Sequence, residues 1–202
     1  MVSTVRIILS FVIILSFGIS AFGQGEFLKK GESGLEAGIF HQSVNGREDG
    51  IGGFIGFSPG RLFDIGLTYL KISDNSSTSL GLVAHVFRIS PGISPLGFSI
   101  TAGLGMNTEG RQKGYYSYGG VLYSNLYLYR KAYFQTSIQI SKTIPETSRS
   151  IVAYGGGLSL FFETSDTITS NIGLLYSGYK IYGASSNIIT IAFSIIIKFK
   201  TS

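Results

Sequence analysis

From Phe98 to Asn107 every second residue is apolar: Phe98, Ile100, Ala102, Leu104 and Met106 alternate with Ser99, Thr101, Gly103, Gly105 and Asn107. A period of two places the two sets on opposite faces of a β-strand. The same separation runs from Tyr133 to Ser141, where Phe134, Ile138 and Ile140 oppose Gln135, Ser137 and Gln139. It returns at the end of the chain, where Ile189, Ile191, Phe193, Ile195, Ile197 and Phe199 stand against Thr190, Ala192, Ser194, Ile196, Lys198 and Lys200. Marking each alternating run predicts ten strands, over 34–44, 50–58, 61–73, 78–89, 96–107, 115–129, 132–142, 150–163, 167–181 and 187–200. Between them lie Asn45-Gly46, Ser58-Pro59-Gly60, Asp74-Asn75-Ser76, Ser90-Pro91-Gly92 and Glu109-Gly110, residues that supply or fix the dihedrals of tight turns. An eight-strand count, with two of the runs as extended loop hairpins, is the alternative.

The second face of these strands decides the environment. A soluble β-sandwich also alternates, but its polar face is solvated and rich in Lys, Glu and Asp. Here that face carries Gly, Ser, Thr, Asn and Gln, as a confined interior does. Composition agrees. Charged residues make up 13% of the chain, against about 25% in soluble domains, and mean hydropathy is +0.32. Beyond residue 23 no apolar stretch is long enough for a transmembrane helix. These facts together predict an all-β fold: a closed antiparallel up-and-down transmembrane β-barrel. Glycines on the inward face (Gly66, Gly81, Gly103, Gly105, Gly155, Gly157 and Gly173) are expected to leave room for larger interior side chains. No helix is expected after Gly155-Gly156-Gly157, so a phosphate-binding loop there is excluded.

The first residues read as a leader. Arg6 precedes an apolar run from Ile7 to Ile19, shorter than the roughly 20 residues a spanning helix needs, and Ser20-Ala21-Phe22-Gly23-Gln24 offers small residues for cleavage after Gly23. The expected organisation is a cleaved signal peptide over 1–23 and one barrel domain over 24–202. With both termini in the periplasm, Tyr69, Tyr115, Tyr116, Tyr118, Tyr154, Tyr176 and Tyr179 fall at the outer ends of their strands. Phe57, Phe63, Phe98, Tyr133, Phe134, Phe161, Phe162 and Phe199 fall at the inner ends, so two aromatic girdles are expected.

Candidate chemistry is sparse. Glu36, Asp64, His85 and Lys198 are the charged or titratable residues whose parity points inward. If the strands pair around Asn75, Asp64 lies beside His85 within hydrogen-bond reach. Such a pair can serve acid–base chemistry when a third group is supplied. More simply it is a structural pair, because buried charges are normally paired. Glu36 and Lys198, on the first and last strands, are expected to meet across the closure. His41 and His85 are far apart and the chain has no Cys, so no metal site or cofactor is expected. Arg47-Glu48-Asp49 and the group Glu109, Arg111 and Lys113 read as solvated loop charges, with a nonspecific role toward lipopolysaccharide phosphates as the further reading. The net charge of +5 is scattered, which excludes a nucleic-acid surface.

The export signal ending near Gly23-Gln24, the evenly spaced hairpins and the last strand apolar up to Phe199 resemble the small outer-membrane β-barrel proteins found in Bacteroidota as a stand-alone barrel domain. The chain departs from their usual aromatic C-terminus, since Lys200, Thr201 and Ser202 follow Phe199. The resemblance implies the cell outer membrane of a Gram-negative bacterium, with lipids and lipopolysaccharide as surroundings and the outer-membrane assembly machinery as a partner during biogenesis. The function expected is a structural or interaction role without turnover. A narrow passive channel for small solutes and a lipid-modifying enzyme are the alternatives, and short loops favour the first.

Overall fold

The computed structural model describes residues 28, 31–46, 48–60, 62–72, 75–88, 96–107, 113–129, 131–146, 150–181 and 184–200. The expected leader lies outside them. Ten strands follow in chain order: β1 (Glu32–Val44), β2 (Glu48–Ser58), β3 (Phe63–Ile72), β4 (Asn75–Arg88), β5 (Leu96–Asn107), β6 (Lys113–Tyr129), β7 (Ala132–Pro145), β8 (Ile151–Glu163), β9 (Ile168–Ile181) and β10 (Ala184–Lys200). Each pairs antiparallel with the next, and β10 closes on β1 from Glu32 opposite Lys200 to Val44 opposite Ile188. The sheet therefore has no free edge, and every strand finds partners for its backbone groups on both sides.

Several strands extend beyond their alternating runs at the end away from the termini, called here the far end. β4 begins at Asn75, β7 runs to Pro145 and β10 begins at Ala184. Ladder hydrogen bonds need only a neighbouring backbone, so pairing outlasts the side-chain pattern. The turn signals behave as their chemistry requires at the first hairpin. Asn45 (φ 51°) and Gly46 (φ 64°) both adopt the left-handed region, which a tight hairpin turn matched to strand twist demands. Asn45 also holds β10, through Nδ2 to Ser186 Oγ at 2.6 Å and by accepting from the Asn187 N–H at 2.8 Å.

Following registered pairs once round the barrel returns to β1 about 12 residues above the start, a stagger that tilts the strands by about 40°. The outward face is apolar throughout: Ile39, Ile55, Leu104, Ile138 and Ile191 are each more than half exposed. On β10 the stripe runs from Ile189 to Phe199, about 25 Å along the axis at that tilt, which is the height of a transmembrane band. No soluble monomer leaves so continuous an apolar belt in water.

The inward face is not uniform, and larger side chains fill it between the expected inward glycines. Its far half holds one contiguous cluster that includes Phe40, Val44, Phe54, Leu70, Ile72, Val83, Tyr115, Ile151, Tyr179 and Ile188. The half nearer the termini holds Glu36, Ser58, Asp64, His85, Ser99 and Lys198, all buried, beside a smaller apolar cluster of Tyr133, Phe161 and Ile196. The girdle expectation is corrected. Tyr69, Tyr116, Tyr118, Tyr154 and Tyr176 are exposed on the outer wall, whereas Tyr115 and Tyr179 are buried inside; Phe57, Phe98, Phe162 and Phe199 face out, whereas Tyr133 and Phe161 are buried. Adjacent residues of a strand point to opposite faces, so Tyr115 and Tyr116 cannot both reach lipid.

The interior aromatics are seated on glycines directly across the ladder. Phe54 faces Gly38, Phe40 faces Gly52, Tyr123 faces Gly97 and Tyr115 faces Gly105. A Cβ on Gly97 would stand 2.2 Å from the Tyr123 ring, and one on Gly105 would stand 2.0 Å from that of Tyr115. Each ring occupies the volume its partner lacks.

Candidate functional site inside the barrel

The expected pair of Asp64 and His85 forms at the end of the barrel that carries the termini. The register sets Asp64 opposite Val83, one inward position from His85, and His85 Nε2 lies 2.8 Å from Asp64 Oδ2 with both side chains fully buried. Two residues complete the group. Ser99, opposite His85 on β5, places its hydroxyl 2.8 Å from His85 Nδ1. Ser58, the last residue of β2, donates its hydroxyl to Asp64 Oδ1. A β-bulge follows at once, where the register between β4 and β5 shifts between His85 and Phe87. His85 N–H meanwhile bonds the Leu62 carbonyl at 2.9 Å.

Ser99, His85 and Asp64 stand in the order of a nucleophile, base and orienting carboxylate. With Nε2–H donated to Asp64, Nδ1 is free to accept the Ser99 proton. Nucleophilic catalysis also needs room for a substrate carbonyl and donors for the developing oxyanion. The first condition is not met, because Ser99 is 2% exposed. An interior cavity of about 50 Å³ is lined by Gln135, Ser137, Ser159, Asn171 and Thr190 among others, and by none of the three. The arrangement is a satisfied buried network.

The expected contact between Glu36 and Lys198 is corrected. Lys198 lies opposite Gly34, and Glu36 lies opposite Ile196. The Lys198 Nζ donates instead to Glu163 Oε1 at 3.0 Å, across β9 to the end of β8. Glu163 was missed because it is the last residue of its strand. Its parity with Gly155, Gly157 and Phe161 carried the signal. Beside it, Tyr133 and Tyr127 meet edge to face with centroids 4.6 Å apart. The Glu36 carboxyl is hydrogen-bonded to Ser194, and its Oε2 has no hydrogen-bond partner among the described residues. His41 is on the outer wall, 3.6 Å from Asp49 and exposed. Of the expected loop charges, Arg47, Glu109 and Arg111 lie outside the described residues. No group of three or more metal-ligating side chains occurs among the described residues.

No protein-family model matches the sequence, and no curated protein matches it either. Solved structures do. The β-domain of the Bordetella autotransporter BrkA matches at a TM-score of 0.50 and 11% identity, covering 84% of this chain and all of that one. The translocator domain of the autotransporter NalP from Neisseria meningitidis matches at 0.45 and 9%, covering 96% and 98%. Neisserial surface protein A matches at 0.43 and 12%, covering 84% and 100%. The fold is that of an outer-membrane β-barrel. At these identities the likeness concerns architecture alone.

Proposed function

We propose that this chain is an integral outer-membrane protein whose barrel acts as a structural or interaction component, with neither turnover nor a path for solutes. The observation that carries the reading is the apolar cluster of the far half. It joins Leu70 and Val83 on β3 and β4 to Ile151 and Tyr179 on β8 and β9, and in a ring of ten these strands stand opposite each other. Side chains therefore meet across the lumen. A bore sealed by packed apolar groups offers an ion no replacement for its hydration shell. The channel reading would need a continuous polar path, and the enzyme reading would need Ser99 to be reachable.

The location is tested by fractionating cells and running the outer-membrane fraction on gels with and without boiling. A closed barrel migrates faster when left unboiled and as an extended chain afterwards. Recovery of the protein as a soluble periplasmic species, with a single mobility, would overturn the reading.

A further inference from the structure

The lipid-facing wall is not evenly filled. Over β5, β6 and β7 the outward residues Phe98, Ile100, Leu122, Ile138 and Ile140 surround Gly120, which has no side chain to contribute, and an open groove of about 660 Å³ results. That size falls within the range of small-ligand clefts. A Cβ on Gly120 would lie 3.1 Å from the Phe98 ring, which borders the opening, and 3.7 Å from the Ser99 carbonyl oxygen. The opening therefore belongs to the wall and is not imposed by backbone crowding. At the far end of the same groove lies Lys142, outward-facing and half-buried, between Tyr118 on β6 and Val152 on β8. No carboxylate lies within ion-pair distance of it among the described residues. The nearest acid along that face, Glu146, accepts from the Gly114 N–H at 3.1 Å.

Depth relates the two parts. Lys142 is eight residues along β7 from Phe134, about 20 Å up the axis at a 40° tilt. That is the upper edge of the apolar band, where Tyr116, Tyr118 and Tyr154 are also exposed. A lysine there extends its ammonium to the headgroup level while its stem stays on apolar surface. The outer wall has a second groove, of about 640 Å³, around Gly53, Ile39, Ile55, Tyr69 and Phe193; its lining holds no charged residue, and the exposed Lys71 stands above it, one outward position beyond Tyr69. Lys142 belongs to the lining of the first groove, which makes that groove amphipathic in the sense of one lipid: an acyl-sized trough with one cation at its top.

We propose that the β5–β7 groove is a binding site for a single phosphate-bearing lipid of the outer leaflet, with an acyl chain over Gly120 and the phosphate on Lys142. The inference rests on the membrane-embedded reading above and adds a ligand class to it. The test uses the full barrel folded in zwitterionic detergent, with folding checked by unboiled mobility so that failure of the barrel reading shows separately. Native mass spectrometry then counts retained phosphatidylglycerol and phosphatidylcholine carrying the same acyl chains. Wild type is expected to keep one phosphatidylglycerol with at least about fivefold preference, since one exposed-edge charge contact is worth about 1 kcal/mol. Lys142→Gln should abolish the preference, Gly120→Leu should remove retention of both lipids, and Lys71→Gln near the other groove should leave both unchanged. Equal retention of the two lipids by wild type, or an unchanged preference in Lys142→Gln, would overturn the proposal. So would a dimer that dissociates in Gly120→Leu, which would give the groove to a second copy of the chain.

Discussion

The two halves of the barrel interior are built from the same ten strands and differ in the balance of what stabilises them. In the far half, Phe40, Phe54, Leu70, Tyr115 and Tyr179 fill the bore, and two of these rings are stacked with centroids 6.5 Å apart, those of Phe40 and Phe54. In the half near the termini directed contacts, Ser58, Asp64, His85 and Ser99 on one side and Glu163 and Lys198 on the other, stand beside a smaller apolar cluster of Tyr133, Phe161 and Ile196. Apolar filling is tolerant of small shifts, whereas a buried ionic network depends on every partner being present. The outer wall shows no such division, because acyl chains impose one requirement along the whole band.

The largest effect is expected where the filling rests on absent side chains. Gly52 faces inward beneath Phe40, and a Cβ there would meet the Phe40 ring at 2.2 Å and the Tyr69 carbonyl oxygen at 2.5 Å. Neighbouring Gly53 faces outward, where a Cβ meets only the Gly38 carbonyl at 3.3 Å. Gly52→Val should cost more than about 4 kcal/mol and abolish the fast-migrating folded band, while Gly53→Ala should refold with a melting temperature close to wild type. Equal behaviour of the two would remove the inward–outward distinction. In the polar half, His85→Ala strands Asp64 in the interior and should destabilise by about 3 kcal/mol, read as a fall in the thermal midpoint in detergent; His85→Gln, which keeps a donor, should lose less. A smaller loss, about 2 kcal/mol, is expected from Lys198→Glu, which sets a like charge against Glu163. An unchanged midpoint for that variant would deny the ion pair any part in closing the barrel.

The strands were legible because lipid enforces alternation residue by residue. Phe98 to Asn107 separates without error, and its expected end at Asn107 is the observed one. The contents of the lumen were less so. Parity tells that Phe40 and Glu36 share a face, but not that one sits in an apolar plug and the other in a polar layer, since the depth of each depends on the stagger of all ten strands. Asp64 and His85 were found because charge is rare on these faces. Ser99 was not, being one hydroxyl among many that alternate inward. Lys198 was matched to Glu36 by strand order, whereas the tilt carries its side chain toward β8 and Glu163.

Whether packing closes the lumen is decided by single-channel recording of the purified full barrel in a planar bilayer. A silent membrane at high protein load under an applied voltage is expected. Discrete, reproducible conductance steps from protein whose unboiled mobility confirms its folding would contradict it.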